Sequence, residues 1–370
     1  MSAPPIHELL EEIIVNVVDP AAADIDQNGT FPHEAMSALG KSGLLGLLSS
    51  TEVGGRGGWL GEAAQIVRRL AASCGSTASV LAMHYCAAVV IEQLGDDDIR
   101  RAVGAGQHLS TLAFAEAGTE GNFWTPTGTA TLNDDEDGVF LNATKGSLIS
   151  AGEADSYIWS SLSVNDQQGT TLWLVPSELP GLETIEGSPA TGMCGSSSKP
   201  VVATDVLLPL SLRLGEDGAG VSIIFGALLP LFQILNASVS LGLMDAAVSR
   251  AITHVASSSL NEQQSARRQL AQIKNRADVA STLVSDAIVS MATDRVDASL
   301  RMLQTKAVAG EAVLEVTEMA TRLGETVPYA DAVAIDRPMR NAQAAAASAP
   351  TTNDLQDFIG RALCGMPLFD

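Results

Sequence analysis

The feature that most constrains the fold is a run of short strand patterns in the middle of the chain, with long helical patterns on either side. Between about residues 110 and 214, apolar and polar residues alternate over short segments, and turn clusters such as Asn133-Asp134-Asp135 separate them. The predicted strands are Leu109–Ala115, Gly128–Leu132, Val139–Ala143, Tyr157–Leu162, Thr171–Pro176 and Val201–Leu207. Short strands separated by turns predict a small β domain.

Both flanks have the apolar period of helices. In the N-terminal flank, helical patterns cover Ile6–Val18, Phe31–Gly40, Trp59–Ser73 and Thr77–Gly95. In the C-terminal flank, apolar stripes at helix spacing begin at Leu270 and Leu300, which is typical of a four-helix bundle. The sequence therefore predicts an α+β fold with an N-terminal helical domain (1–110), a middle β-barrel-like domain (111–215) and a C-terminal bundle (216–370).

One segment needs comparison with a membrane span. Val221–Leu235 is almost wholly apolar and is interrupted by Pro230. It is about fifteen residues long, whereas a helix that crosses a bilayer needs roughly twenty. We therefore expect a buried helix or a subunit interface, and no contact with a membrane.

The charge of the chain excludes several classes of partner. A formal net charge of −22 repels nucleic acids and anionic membranes, so a small molecule or a protein is the expected partner. The four cysteines lack the spacing of a metal site. The N-terminus has acidic residues at Glu8, Glu11 and Glu12 and no signal-peptide pattern. These observations predict a cytoplasmic protein without a metal.

The stretch from Gly138 to Trp159, GVFLNATKGSLISAGEADSYIW, contains the clearest motif of the chain. It resembles the middle-domain signature of acyl-CoA dehydrogenases, L-N-G-x-K-x-W-I-T-N-G-x-x-A-D. The matching residues are Leu141, Asn142, Lys145, Gly152, Ala154 and Asp155. The order of helices, β domain and helices is also that family's, so the resemblance implies an acyl-CoA dehydrogenase-like fold over nearly the whole chain.

Two further segments extend this resemblance. The segment GLLGLLSSTEVGGRGG, which begins at Gly43, is similar to the family's pattern of a helix end followed by glycines. Taken alone it is weak, because glycines serve turns more often than phosphates. The tail from Pro350 to Phe369 resembles a branch of the family found in secondary-metabolite pathways.

The resemblance implies a flavin site, and the sequence departs from it at the flavin ring. Ser147 occupies the position where the family has the tryptophan that covers the flavin. Ile149 occupies the position of the threonine that forms a hydrogen bond with the flavin's reactive edge. The usual T-E-P-x-A-G-S-D segment reads AFAEAGTEGNFW here, from Ala113 to Trp124, with Glu116 and Thr119 as its remaining polar groups.

The departures continue at the places that hold the flavin's diphosphate in the family. The segment after His254 lacks an Arg-x-x-x-Phe-Gly element, so neither positive charge nor amide donors are evident there. The late glycine pair survives only as Gly324-Glu325-Thr326. Together, the departures at four places predict that the chain binds no cofactor, and FAD is the alternative.

The catalytic base that the resemblance implies is also absent. Family members place a glutamate shortly after R-D-A-R, whereas here Arg340-Asn341-Ala342-Gln343 leads to Ala349 at the matching place. The nearest carboxylate is Asp354, and the first bundle helix, where some relatives have the base, offers only Asp245.

The candidate site residues follow from these segments. His84 and Tyr85 lie in a helix that lines the acyl cavity in the family, where His84 is a candidate general acid or base. The alternative for His84 is a core histidine with satisfied hydrogen bonds. The predicted catalytic residues are His84, Tyr85 and Glu116, and the predicted substrate-binding residues are Thr119, Trp124, Ser147, Ser150 and Tyr157.

Three functions fit these observations. The first is a flavin-independent, non-redox step, such as a cyclisation, isomerisation or ring rearrangement of an apolar polyketide-like intermediate in antibiotic or other secondary metabolism. The second is an FAD-dependent acyl-CoA or acyl-carrier-protein dehydrogenase, or a flavin oxygenase. The third is a non-catalytic subunit of a heteromeric dehydrogenase. Under either enzyme hypothesis, the long bundle helices predict a homodimer or homotetramer.

Overall fold

The computed structural model describes residues 5–116, 124–165, 167–187, 190–324 and 329–367. The chain divides into two compact units. The first comprises Met1–Ala63, Ser79–Ala190 and Cys194–Phe232, and the second comprises Ala64–Ala78, Thr191–Met193 and Gln233–Asp370. The three-domain division with boundaries at residues 110 and 215 stays a prediction.

Helices form the N-terminal part of the chain, as the sequence predicts. They are α1 (Ile6–Ile13), α2 (Asp19–Asn28), α3 (His33–Lys41), α4 (Leu60–Ser73), α5 (Gly75–Leu94) and α6 (Asp97–Gly104). A π-helical turn, Ile14–Val18, joins α1 to α2, so the predicted helix Ile6–Val18 extends to Asn28. Pro20 permits this because it lies in the first turn of α2, where a missing amide hydrogen costs little.

The middle of the chain forms two four-stranded sheets with strand orders β1-β4-β5-β8 and β2-β3-β7-β6. The strands are β1 (Ser110–Ala113), β2 (Thr129–Leu132), β3 (Gly138–Leu148), β4 (Ser156–Leu162), β5 (Thr170–Pro176), β6 (Leu182–Thr184), β7 (Lys199–Pro209) and β8 (Arg213–Leu214). Strand β1 is parallel to β4, and the other pairs are antiparallel. Buried side chains from both sheets form one core, which includes Trp159, Trp173 and Val139. The predicted β region is confirmed.

The C-terminal part is helical again. Its helices are α7 (Gly220–Ile223), α8 (Leu229–Ser257), α9 (Gln264–Ala292), α10 (Ala298–Gly324), α11 (Tyr329–Ala347) and α12 (Thr352–Leu363). The apolar stripe of α9 is buried at Ile273, Ala277, Ala280, Val284 and Ala287. The order of helices, sheets and helices confirms the predicted fold class.

Two helical stretches in the described part of the chain have the length and hydropathy of a membrane span. They are Gly75–Leu94 and Gly220–Ser257, and 78% and 50% of their most apolar windows are buried inside the protein. Core helices have the same composition, and Ile234 and Leu235 of the predicted apolar segment are fully buried. The burial favours core helices, as the sequence predicts for Val221–Leu235.

The glycine-rich segment after α3 makes two close backbone contacts. A Cβ atom added at Gly46 would lie 2.1 Å from the carbonyl oxygen of Gly104, at the end of α6. A Cβ atom added at Gly55 would lie 2.2 Å from the carbonyl oxygen of Ser49. These glycines therefore allow close packing of the first unit, which is a structural reason for the glycine pattern.

We expect Gly46→Ala to lower the free energy of unfolding by about 2 to 3 kcal/mol, because the new methyl group overlaps backbone atoms that have no room to move. The matched control is Gly360→Ala in α12, where an added Cβ meets nothing within 4 Å. Since alanine favours a helix over glycine by about 0.5 to 1 kcal/mol, the control should be neutral or stabilising. Urea unfolding of both variants measures the difference, and equal stabilities would contradict the packing role.

Candidate functional site

A buried ion pair joins the two segments that carry the candidate site in the β region. The Nζ atom of Lys145, on β3, lies 2.5 Å from Oε1 of Glu116, and the two side chains are 0% and 2% exposed. The same ammonium group donates to the carbonyl oxygen of Ser160 at 2.7 Å and to its hydroxyl at 3.0 Å. It also lies 5.0 Å from the ring centroid of Trp159. All these contacts are with charged, polar or aromatic groups that stabilise a buried cation.

The second carboxylate oxygen of Glu116 is also used. Its Oε2 atom accepts hydrogen bonds from the amide of Thr127 at 2.7 Å, the hydroxyl of Thr127 at 2.5 Å and the amide of Gly128 at 3.0 Å. Burial alone would raise the pKa of Glu116, but the Lys145 charge and these hydrogen bonds bring the pKa below its usual value. Glu116 is therefore ionised, and it connects Lys145 to the backbone at Thr127 and Gly128. Its predicted catalytic role stays a prediction.

The ion pair also fixes the position of the first part of the segment from Ala113 to Trp124. The amide of Gly146 donates to the carbonyl oxygen of Ala115 at 2.7 Å, beside an antiparallel bridge between Glu116 and Lys145. Residues 115–116 therefore lie against β3 just before Ser147, whose side chain is exposed. Thr119, a predicted substrate-binding residue, lies outside the described residues.

The turn after β3 carries an unusual hydroxyl group. Ser150 has a positive φ of 63° and is 1% exposed, and its amide donates to the carbonyl oxygen of Ser196 at 2.8 Å. Its Oγ atom is buried and has no hydrogen-bond partner among the described residues. Tyr157, a predicted substrate-binding residue, is buried in the core, and its hydroxyl accepts a hydrogen bond from the amide of Gly152 at 2.9 Å. Tyr157 thus holds the turn that presents Ser150.

These groups fit the hydrogen-bonding needs of a flavin ring. The rim of a flavin carries ring nitrogens and carbonyl oxygens, which take hydrogen bonds from hydroxyl and amide groups. Ser147 offers an exposed hydroxyl, and three residues further on Ser150 offers a buried hydroxyl without a partner in the described structure. A buried hydroxyl without a partner costs about 1 to 3 kcal/mol, so a ligand group that bonds it is favoured.

His84 and Tyr85 are core residues of α5. The Nε2 atom of His84 lies 3.2 Å from the carbonyl oxygen of Leu45, and its Nδ1 atom accepts a hydrogen bond from the amide of Ser110 at 3.1 Å. This arrangement requires a neutral ring with its proton on Nε2, and burial lowers the pKa of His84 to about 4. The Tyr85 hydroxyl donates to the carbonyl oxygen of Leu44 at 2.6 Å, and burial raises its pKa. The contacts favour the structural alternative for His84, while the catalytic roles stay predictions.

Trp124, the last residue of the segment from Ala113 to Trp124, is buried, at 8% exposure. Its ring packs against Phe225 with centroids 5.5 Å apart and an interplanar angle of 60°. Phe225 belongs to a π-helical turn, Ile224–Leu228, and such turns occur often at functional sites. Sequence analysis did not single out Phe225, because a π-helical turn has no sequence signature.

The carboxylates considered as a base are engaged in structural contacts. Asp354 caps α12 by accepting hydrogen bonds from the amide and hydroxyl of Thr351. Asp245 binds the Arg68 guanidinium through both oxygens, at 2.6 and 2.9 Å. Among the residues that the structure describes, no group of three or more His, Cys, Asp or Glu is arranged to hold a metal ion.

Lys306 is a buried cation that sequence analysis missed. Its Nζ atom donates to the carbonyl oxygens of Ser348 and Pro350, both at 2.6 Å, and so holds the backbone on either side of Ala349. Burial lowers the pKa of Lys306 to about 8, against the opposing charge of Asp354. The signal in the sequence is one lysine in an alanine-rich helix, which alone does not indicate burial.

We expect Lys145→Met to lower the free energy of unfolding by about 3 to 5 kcal/mol, because it leaves the Glu116 carboxylate buried without its counter-charge. Glu116→Gln should have a loss in the same range for the converse reason. The double variant should lose clearly less than the sum of the two single losses. Denaturant unfolding of the four proteins measures the coupling, and strictly additive losses would contradict the role assigned to the pair.

The pH dependence of stability tests the state of His84. Its folded pKa of about 4 lies below the ordinary 6.5, so the unfolded chain takes up the proton first as the pH falls. The stability that neutral His84 supplies is therefore present above pH 6.5 and is lost toward pH 4, by about 3 kcal/mol in all. The stability difference between the wild type and His84→Gln should shrink by that amount over this range. For Tyr85→Phe, which removes no group titrating there, the difference should stay constant.

The sequence has matches to known proteins. The family described as "Acyl-CoA dehydrogenase, N-terminal domain" matches residues 5–105. A curated relative, the short-chain specific acyl-CoA dehydrogenase of Clostridium acetobutylicum, is 23% identical over 222 residues, which cover 58% of each chain. The chain spans 55 to 58% of the length of the first curated relatives that it matches.

Solved structures share the fold over nearly all of the chain. The butyryl-CoA dehydrogenase of Megasphaera elsdenii has a TM-score of 0.87 and 23% identity, and the match covers 96% of both chains. PigA, solved with FAD and proline, has a TM-score of 0.88 and 17% identity, and the match covers 98% of this chain and 99% of PigA.

The prediction that the chain binds no cofactor is wrong. The curated relatives include acyl-CoA dehydrogenases, and PigA, a solved structure of the same fold, contains FAD, so the comparisons point to FAD. The flavin-independent step that depended on this prediction loses its basis. The N-terminal match, the curated relatives and the shared fold all support the predicted resemblance to acyl-CoA dehydrogenases.

Proposed function

We propose that the protein is an FAD-dependent oxidoreductase that oxidises a small acyl thioester. The observation that carries the proposal is the pair of hydroxyls at Ser147 and Ser150, in a chain whose curated relatives include acyl-CoA dehydrogenases. When bound, FAD would supply the acceptor for a hydride from the acyl chain, and the proton lost from the neighbouring carbon would pass to water. The acyl group of the proposed substrate is attached to coenzyme A or to a carrier protein.

In this proposal the chain's own residues have three tasks. Ser147 and Ser150 hold the flavin ring by hydrogen bonds, and the Lys145–Glu116 pair fixes the two segments that flank it. Trp124 and Phe225 form an apolar wall that excludes water and receives the apolar substrate. The two named carboxylates near the family's base positions, Asp245 and Asp354, are held in other contacts. We therefore assign no proton acceptor among the described residues.

The setting of this activity follows from the same argument. We propose an apolar small-molecule substrate, a cytoplasmic location and a homodimer or homotetramer built on the long bundle helices. A place in secondary metabolism is supported by the tail from Pro350 to Phe369, part of which lies outside the described residues. Nucleic acid is an improbable partner for a chain with a net charge of −22.

The proposal is tested with the purified full-length protein. We expect the visible absorption band of a flavin and the release of FAD on denaturation, identified by mass spectrometry. Under anaerobic conditions, a panel of short acyl-CoA thioesters should bleach this band for at least one substrate. A colourless protein that does not take up added FAD would overturn the proposal.

Ser150→Gly tests the proposed flavin contact. Glycine accepts the positive φ without strain, so the variant removes the hydroxyl and little else. The loss of one hydrogen bond should raise the dissociation constant for FAD about tenfold, as measured by flavin fluorescence titration. The matched control is Glu136→Gly, which also replaces a residue with positive φ but lies in an exposed loop. Its FAD affinity should equal that of the wild type.

A further inference from the structure

The long helix α9, in the second compact unit, has an outer face that is open to solvent. Its exposed residues recur at alternating spacings of four and three, which is the repeat of a seam between two packed helices. Only one of them is charged. They are Ala271, Asn275, Asp278, Thr282, Ser285 and Val289. We call this stripe the α9 seam.

The charges of α9 are separated along its length. All of its basic residues precede position 277, and both of its acidic residues follow it. The basic residues are Arg267, Arg268, Lys274 and Arg276, and the acidic residues are Asp278 and Asp286. The helix dipole favours the opposite order, and α9 has neither an acidic residue in its first turn nor a basic residue in its last. The helix itself therefore does not explain this order.

Contacts within the chain account for only part of these charges. Two of the four basic residues have acidic partners in the second unit. Asp286 pairs with Arg295 at 2.6 Å and with Arg301 at 3.3 Å, yet its side chain is 37% exposed, and a carboxylate accepts several hydrogen bonds. Arg268 is exposed and forms no ion pair with the residues that the structure describes. Arg268 and the exposed part of Asp286 are thus open to contact from another molecule.

Arg268 and Asp286 are placed symmetrically about Ala277, nine residues before it and nine residues after it. Because a separation of eighteen residues is five full helical turns, both side chains project from the same side of α9. When a second α9 packs antiparallel with its centre at the same residue, Arg268 of each copy faces Asp286 of the other. The charge pattern of α9 is therefore complementary to a second copy of itself.

The net charge of the chain favours this face over the rest of the surface. Two copies that each carry a charge of −22 repel each other. Helix α9 has the opposite balance, with four basic and two acidic residues. A different acidic protein would be attracted by Arg268 but repelled by Asp278 and Asp286. A second copy of the chain thus fits α9 better than an unrelated acidic partner.

We propose that the α9 seam, flanked by Arg268 and Asp286, is the contact surface of a two-fold symmetric dimer in which α9 packs antiparallel against α9 of a second copy. The proposal gives a location to the self-association proposed above, and it does not depend on the oxidoreductase activity.

The test is sedimentation velocity of the full-length protein over a range of concentrations. We expect the wild type to sediment as a dimer or a multiple of it. Arg268→Glu turns two attractive contacts of each dimer into repulsive ones, so the dissociation constant should rise at least about tenfold at low salt. At about 500 mM salt the difference from the wild type should shrink, because exposed charges are screened.

The matched control is Arg322→Glu, which reverses the charge of an exposed arginine on α10 in the same unit. Its dissociation constant should be within about twofold of the wild type. A wild type that stays monomeric at its highest soluble concentration would overturn the proposal and leave an acidic protein as the partner of this face. Equal association of the wild type and folded Arg268→Glu would also overturn it.

Cross-linking locates the contact even if Arg268→Glu does not fold. Asn275 and Val279 lie two residues before and two after Ala277, so Asn275 of one copy faces Val279 of the other. We expect an equimolar mixture of Asn275→Cys and Val279→Cys, each in a Cys364→Ser background that removes the exposed native thiol, to form a disulfide-linked dimer on mild oxidation. The control mixture, Glu318→Cys with Arg322→Cys on α10, should form none. A seam mixture that does not cross-link would overturn the proposal, and because neither measurement needs a flavin, an inactive protein still tests it.

Discussion

The buried ion pair of Lys145 and Glu116 is the contact on which the arrangement of the β region depends. Removing two charges from water costs several kcal/mol for each ion, and this cost is recovered only when nearly every donor and acceptor is satisfied. Here the ammonium group bonds Glu116 and Ser160, and the carboxylate also bonds the backbone at Thr127 and Gly128. The pair therefore joins four chain segments, at Glu116, Thr127–Gly128, Lys145 and Ser160. Ser147 lies two residues beyond Lys145, so its position is determined by the same contacts.

Much of the fold could be predicted because burial on one face of a strand or helix leaves a period in the sequence. The alternation at Val139 and Leu141 predicted β3, but its true end at Leu148 was missed, since the buried Lys145 breaks the apolar pattern. The strands β6 and β8 were missed because two or three residues are too few for an alternation. The apolar pattern of a sequence therefore shows which side chains are buried in the core. It shows where a strand ends only if turn residues interrupt the pattern there.

The candidate site was harder to predict because its contacts are distant in sequence. His84 and Tyr85 bond carbonyl groups 39 and 41 residues away, and these backbone acceptors have no residue type that marks them. A residue's chemical type predicts what it is able to do, whereas its partners decide whether a nitrogen or oxygen remains available for a substrate.

The prediction that the chain binds no cofactor was wrong because replaced motif residues do not by themselves remove a flavin site. When a motif residue is missing, another group is able to make the contact that this residue makes in the family. The missing residue alone therefore does not show that the contact is lost. A flavin needs hydrogen bonds at its rim and positive charge near its phosphates, and hydroxyl groups, backbone amides and arginines outside the motif positions are able to supply both. The loss of a cofactor is predicted when substituting side chains fill its space or reverse the charge around it. Serine at position 147 is smaller than the tryptophan that it replaces and is uncharged, so it does neither.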